Sequence, residues 1–216
     1  MTAHDSFLQA GETSVRRLLA VCSMLLAYPD DRSVQRLPLV EGSLEGLPAD
    51  AREPLRRFVS WLAGLGARPA QEHYVEIFDR RRKACLYLTY FLNGDTRRRG
   101  MALVEFKELY QAAGYDLGPE ELPDFLPVVL EFGAVADVAV ALELLASHRS
   151  GLELLSAALE RFGSPYADVV DALLVVVPPA VEGPSAAELA EMGPPAEQVG
   201  LAPFVPLESL KVGGRA

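Results

Sequence analysis

A chain of 216 residues, half of them apolar, is long enough for one domain with a substantial core and too apolar to remain a disordered polymer. Its formal net charge of −10 opposes nucleic acid as a partner, because phosphate binding rests on Lys and Arg. An acidic body favours instead a basic ligand or a basic segment of another protein. No apolar run reaches the ~18 residues that a spanning helix requires. The opening MTAHDSFLQAGET has no basic stretch ahead of an apolar core, so a secretory signal is not expected. These features predict a cytoplasmic protein with no stable membrane insertion.

In chain order, residues 1–13 read as a flexible N-terminus and residues 14–177 as one all-helical domain. Val15, Leu18, Leu19, Cys22, Leu25 and Leu26 make an apolar stripe over residues 14–27, ended by Tyr28-Pro29-Asp30-Asp31. Residues 32–48 read as a short helix or a loop. Asp50 and Glu53 form a candidate capping box, with Pro54 in the first turn, ahead of a helix burying Leu55, Phe58, Val59, Leu62 and Leu65. Trp61 falls near its edge, and Gly64 and Gly66 close it.

A central stretch follows, over residues 72–132. Tyr74, Phe78, Cys85, Leu88 and Leu92 recur at helical spacing and predict one amphipathic helix. Asn93-Gly94-Asp95-Thr96 breaks it, with Thr96 placed to cap a second helix that carries Leu103, Phe106, Tyr110 and Ala113 inward and stops at Gly114. A third helix is expected from about Asp124, with Pro127 in its first turn, where no backbone donor is missed.

Residues 125–146 are apolar almost all round and read as one long central helix, with Gly133 marking a kink or a close helix approach. Ser150 and Glu153 suggest another capping box, and Ser164-Pro165 opens a helix stopped at Pro178-Pro179. Residues 178–216 turn to Pro, Gly, Ala and Glu and read as a largely irregular tail, with one or two helical turns over residues 186–192. Nothing alternates with period two over a useful length. The fold class is all-α, a single helical bundle.

Catalytic parts are not evident. His4, His73 and His148 lack the Glu-x-x-His pairing of a di-iron bundle, and Cys22 and Cys85 are too few and too far apart for a zinc or iron–sulfur site. They read as small buried hydrophobes. No phosphate loop, nucleophile elbow or zinc-protease motif occurs. No cofactor or metal is therefore expected. Arg80-Arg81-Arg82-Lys83 and Arg97-Arg98-Arg99 read as solvated faces or as partners of nearby carboxylates. The second cluster opens a helix, against its macrodipole, so a carboxylate of this chain or of a partner should hold it there.

Rings and carboxylates in the central stretch are the better candidates for a binding surface. Tyrosine offers an apolar ring with a polar tip, which suits uptake of an amphipathic segment. Tyr74, Glu76, Phe78, Asp79, Tyr87 and Tyr90 supply one side, and Asp124 and Glu131 an acidic edge.

The runs YVEIFDRRRKACLYLTY, GDTRRRGMALVEFKELY and ELPDFLPVVLEF occur in order and resemble the assembly chaperones of respiratory nitrate reductase, the delta-subunit (NarJ) family within the TorD-like chaperones. The resemblance extends over about residues 14–204. Residues 74–79 match the family's Tyr-x-Glu-x-Phe-Asp signature. Leu122, Pro123, Asp124, Leu126 and Pro127 match its Leu-Pro-Asp-x-Leu-Pro, whereas Lys83-Ala84 and Phe91 vary from the expected form. The resemblance implies a TorD-like bundle without catalytic activity. It also implies a partner, the N-terminal peptide of the nitrate reductase catalytic alpha subunit or the alpha–beta complex, and a role in molybdenum cofactor and iron–sulfur insertion before membrane docking. A sibling chaperone for a dimethyl sulfoxide reductase or formate dehydrogenase, or a small helical ligand-binding enzyme, is the alternative.

Overall fold

The computed structural model describes residues 11–94, 96–119, 121–179 and 184–192. Expectations for the flexible N-terminus and most of the irregular tail fall largely outside these residues. Among the described residues the chain is helical, with no strand beyond one antiparallel bridge between Tyr87 and Phe125.

Helix α1 (Glu12–Leu26) buries Val15, Leu18, Leu19, Cys22, Leu25 and Leu26, the stripe that the periodicity predicts. Two short helices, α2 (Asp31–Gln35) and α3 (Leu37–Ser43), occupy the stretch left open as helix or loop. Asp30 caps the first by accepting from the Ser33 amide at 2.7 Å. Helix α4 (Ala49–Leu65) buries Leu55, Phe58, Val59 and Leu62 and ends at Gly66, whose φ of 82° is reached without strain only by glycine. Helix α5 (Ala67–Tyr74) runs into a π-turn at Val75–Asp79, where the Arg80 amide donates to the Val75 carbonyl at 3.2 Å.

The predicted continuous helix through Leu92 does not form. A 3-10 turn (Arg82–Ala84) and an extended stretch replace it, before the single turn α6 (Tyr90–Asn93). Main-chain groups of the extended stretch are satisfied from far away: Leu88 donates to the Asp124 carbonyl at 2.9 Å and Leu126 to the Leu86 carbonyl at 2.8 Å. Leu86 and Leu88 are buried while Cys85 and Tyr87 are half-buried, the period of two that extended backbone imposes. Cys85 is therefore not a helical core thiol, unlike Cys22, which is fully buried.

Helix α7 (Arg97–Ala112) follows Thr96, whose hydroxyl donates back to the Asn93 carbonyl at 2.8 Å rather than capping the helix. Phe106 and Tyr110 are buried, whereas Leu103 and Ala113 are only half-buried. The long helix expected over residues 125–146 is two: α8 (Leu126–Val135) and α9 (Val138–Ser147). Asp137 accepts from the Ala139 and Val140 amides at 3.0 and 3.1 Å, and this cap starts a new helix where the apolar pattern alone shows no break. Gly133 marks a close approach and not a kink: a Cβ there would lie 2.6 Å from the Ala141 Cβ and 2.7 Å from Leu19 Cδ1.

Helices α10 (Arg149–Arg161), α11 (Tyr166–Leu174) and α12 (Ala186–Met192) complete the order. The expected boxes at Asp50/Glu53 and Ser150/Glu153 are absent. Pro48 and His148 stand at those N-caps, Pro54 lies inside α4, and Glu53 and Glu153 pair with Arg56 and Arg149. A capping box forms instead at Ser185/Glu188. The centre of the bundle is α1, packed along α8 and against α11; α4 and α10 flank α11, and α9 covers α8. No described helix is long and apolar enough to cross a membrane.

Candidate functional site

The runs over residues 74–90 and 121–132 are joined by the Tyr87–Phe125 bridge. In front of the bridge is a concavity of about 280 Å³. Tyr74, Phe78, Tyr87, Tyr90 and Phe125 give it aromatic walls, and Asp79, Arg81 and Arg82 give it charge. Five of the candidates, Tyr74, Phe78, Asp79, Tyr87 and Tyr90, therefore come together. The ring of Tyr74 packs on Phe78 at 4.7 Å, and its hydroxyl donates to the Leu26 carbonyl at 3.1 Å. Burial pushes its ionisation far above the ordinary tyrosine range. Tyr74 is only 6% exposed, so it forms the floor rather than the rim. Phe78 is half-buried and meets Tyr166 at 4.8 Å. Tyr87 packs on Phe125 at 5.4 Å and carries the Arg99 guanidinium 5.2 Å from its ring centroid.

The acidic residues divide. Asp79 is exposed and lines the concavity. Glu76 faces a neighbouring groove with Tyr28, Gln71 and Arg80, and is held by Arg81 at 2.9 Å and Arg80 at 3.3 Å. Those bonds lower its pKa. Part of the first basic cluster is thus explained by one carboxylate of this chain.

Asp124 does not edge a groove. It is fully buried, accepts from the Thr89 hydroxyl at 2.5 Å and stands 3.6 Å from Arg99. This is the carboxylate that holds a cation at the α7 N-terminus. Leu126 and Val129 are fully buried beside it, and Pro123 and Pro127 are buried too. Tyr110 donates to the Pro123 carbonyl at 2.6 Å and Ser23 to the Pro127 carbonyl at 2.8 Å. The Leu-Pro-Asp-x-Leu-Pro stretch therefore lines the concavity with Phe125 alone, and its matched residues support that ring without lining it. Leu122 remains exposed, and Glu131 faces a separate depression beside Met24 and Val135. The spacing of proline and carboxylate carried no sign of this burial, which depends on Thr89 and Arg99 arriving from elsewhere.

Sequence reasoning missed Arg81, Arg82, Cys85, Leu86 and Phe125 as lining residues. The arginines had a visible signal, an unbroken basic run, but its direction depends on where the helix stops. Arg81 also lies over the Phe162 ring at 4.5 Å. His73 shares a 3.0 Å hydrogen bond with Ser164 and stacks on Tyr166, and burial lowers its pKa. Among the described residues no three His, Cys, Asp or Glu side chains converge as a metal site. What the concavity offers is apolar contact, ring faces, one carboxylate and two guanidiniums: the means to hold an amphipathic segment.

Residues 44–171 match the model of the nitrate reductase delta subunit family. The chain is similar to the nitrate reductase molybdenum cofactor assembly chaperone NarJ of Escherichia coli K12, 34% identical over 79% of this chain and 73% of the relative. Its counterpart from Bacillus subtilis strain 168 is 34% identical over 72% of this chain and 85% of the relative. The nitrate reductase-like protein NarX of Mycobacterium tuberculosis H37Rv is 40% identical over 70% of this chain but only 23% of that longer protein. A solved structure from Archaeoglobus fulgidus, described as a redox enzyme maturation protein, superposes with a TM-score of 0.54 at 23% identity, covering 74% of this chain and 91% of that one. Both NarJ relatives are named as assembly chaperones. The family match over residues 44–171, with relatives 34% identical over most of the chain, places this helical bundle in the nitrate reductase delta subunit family.

Proposed function

We propose that this protein is a dedicated assembly chaperone that binds the N-terminal segment of the catalytic alpha subunit of a membrane-bound nitrate reductase. It keeps that subunit, alone or with its beta partner, competent for molybdenum cofactor and iron–sulfur insertion until it docks on the membrane. The setting is the cytoplasm. The observation that carries this reading is the aromatic concavity with Asp79 on its wall, built where the runs over residues 74–90 and 121–132 meet. An amphipathic helix laid into it would bury its apolar anchors against Phe78, Tyr87 and Phe125 and set a basic residue beside Asp79. The acidic body steers a basic segment toward it, most strongly at low salt.

Masking is the physical mechanism. While the segment is bound, premature docking becomes less favourable by the binding free energy. A dissociation constant between about micromolar and nanomolar, roughly −8 to −12 kcal/mol, masks and still releases.

Titration calorimetry with synthetic N-terminal peptides tests this. A peptide from a nitrate reductase alpha subunit should bind, and peptides from a dimethyl sulfoxide reductase or a formate dehydrogenase should bind at least about tenfold more weakly. Preference for one of the latter would reassign the client. No binding of any peptide, together with no immature alpha subunit co-purifying with the chain, would reject the reading.

A further inference from the structure

The last described helix, α12, lies on α10. Its anchor is Leu189, 5% exposed, in a helix of seven residues. Its start is tied down: Ser150 donates to the Pro184 carbonyl at 2.7 Å, and Ser185 and Glu188 cap each other at 2.8 and 3.3 Å. Under its apolar side a cavity of about 120 Å³ is walled by Lys83, Phe91, Leu154 and Ala158.

Two of those wall residues have neighbours that face the other way. Arg82 lines the concavity and Lys83 the cavity under α12; Tyr90 lines the concavity and Phe91 the cavity. The 3-10 turn and α6 thus form a partition between the two spaces. Tyr90 and Phe91 touch edge to face at 5.9 Å, and Phe91 rests on Gly151, where a Cβ would come within 3.1 Å of its ring. Elements of three and four residues cannot hold their own geometry in water. Their position is set by what packs on each side.

We propose that Leu189 is a positioning residue of the recognition surface: by seating α12 over the cavity that Phe91 walls, it fixes the partition and so presets Arg82 and Tyr90 for the incoming segment. The claim rests on reading the concavity as that surface. A seven-residue helix with one buried leucine and a hydrogen-bonded start, over an incompletely filled cavity, opens locally at much lower cost than the bundle unfolds. Because docking of α12 and binding at the concavity act on the same partition, each favours the other by the same factor.

The test uses the full chain and its two cysteines. Cys85 lines the concavity and is half-buried, while Cys22 is fully buried and reports global opening. In Leu189→Asp, with no peptide present, iodoacetamide should modify Cys85 about fivefold faster, with Cys22 still unmodified. Ala190→Leu, which fills the cavity, should slow the reaction. Leu189→Asp should weaken the alpha-subunit peptide by a similar factor, and the peptide should raise hydrogen-exchange protection of residues 186–192 in the wild type. Unchanged Cys85 rates in both variants would overturn the proposal, as would acceleration accompanied by Cys22 modification, which means that Leu189 supports the whole bundle. Cys85 rates that separate as expected in a chain that binds no peptide would support the positioning role and sink only the recognition reading.

Discussion

Asp124 offers the sharpest test of the site's construction. Replacing it with asparagine keeps volume and an acceptor for Thr89 but removes the charge. Both Asp124 and Thr89 are fully buried, and their 2.5 Å bond is charge-assisted, a class worth about 1.5–3 kcal/mol, of which a neutral amide retains roughly half. Arg99 stands 3.6 Å from the carboxylate with its side chain 18% exposed. Breaking a fully buried pair costs about 3–5 kcal/mol, and partial access to water reduces that here to about 1–2. The asparagine amide also brings donors into a place where one carboxylate oxygen already has no hydrogen-bond partner. The sum is a loss of about 2–4 kcal/mol for Asp124→Asn. Urea unfolding followed by the fluorescence of the single Trp61, which sits 5.4 Å from Phe58, reads this as a lower midpoint at unchanged slope. Arg99→Met should cost less, and the double variant should fall short of the sum of the singles by at least about 1 kcal/mol. A loss below about 0.5 kcal/mol for Asp124→Asn, or strict additivity, would refute the view that this pair clamps α7 to the second signature.

Gly133→Ala should destabilise the bundle by up to about 2 kcal/mol, since overpacking at about 1–3 kcal/mol is set against a helix-propensity gain of about 1. Ala141→Gly should relieve part of it, because the new methyl meets Ala141 and Leu19 together; a stabilised Gly133→Ala would show that the helices are farther apart. Asp79→Asn should weaken a basic alpha-subunit peptide about two- to fivefold at low salt, with the difference fading in high salt, as measured by calorimetry. Glu76, already engaged by Arg80 and Arg81, should matter less when neutralised; equal effects would mean that the peptide lies across both grooves. Burial lowers the His148 pKa against its ordinary 6.5, although the Leu144 carbonyl and the Asp124 charge pull it up. Its folded value lies below its unfolded one, so its contribution is present above about pH 6.5 and lost as pH falls through the depressed value. His148→Gln should therefore flatten the stability profile as pH falls below about 6.5; an unchanged slope would count against a neutral, half-buried imidazole.

Much of the bundle is written in local patterns. The stripes of α1, α4, α10 and α11 repeat at helical spacing because their neighbours are their own next turns, and Gly66 and Gly114, with φ of 82° and 72°, stop helices by a property of a single residue. The family signatures, being contiguous, were equally legible, and so was the gathering of Tyr74, Phe78 and Asp79, which share one turn. The rest depended on partners distant in sequence. Nothing between Arg80 and Thr89 marks extended backbone, because the groups that satisfy it belong to residues 124–126. Nothing about Asp124 marks burial, because its charge is met by Thr89 and Arg99. Glu76 and Asp79 look equivalent along the chain, yet the π-turn and Arg81 divert one of them away from the concavity. Periodicity states which side of a helix faces inward; which residues become the wall of a cavity is decided when separate segments close around it and exclude water.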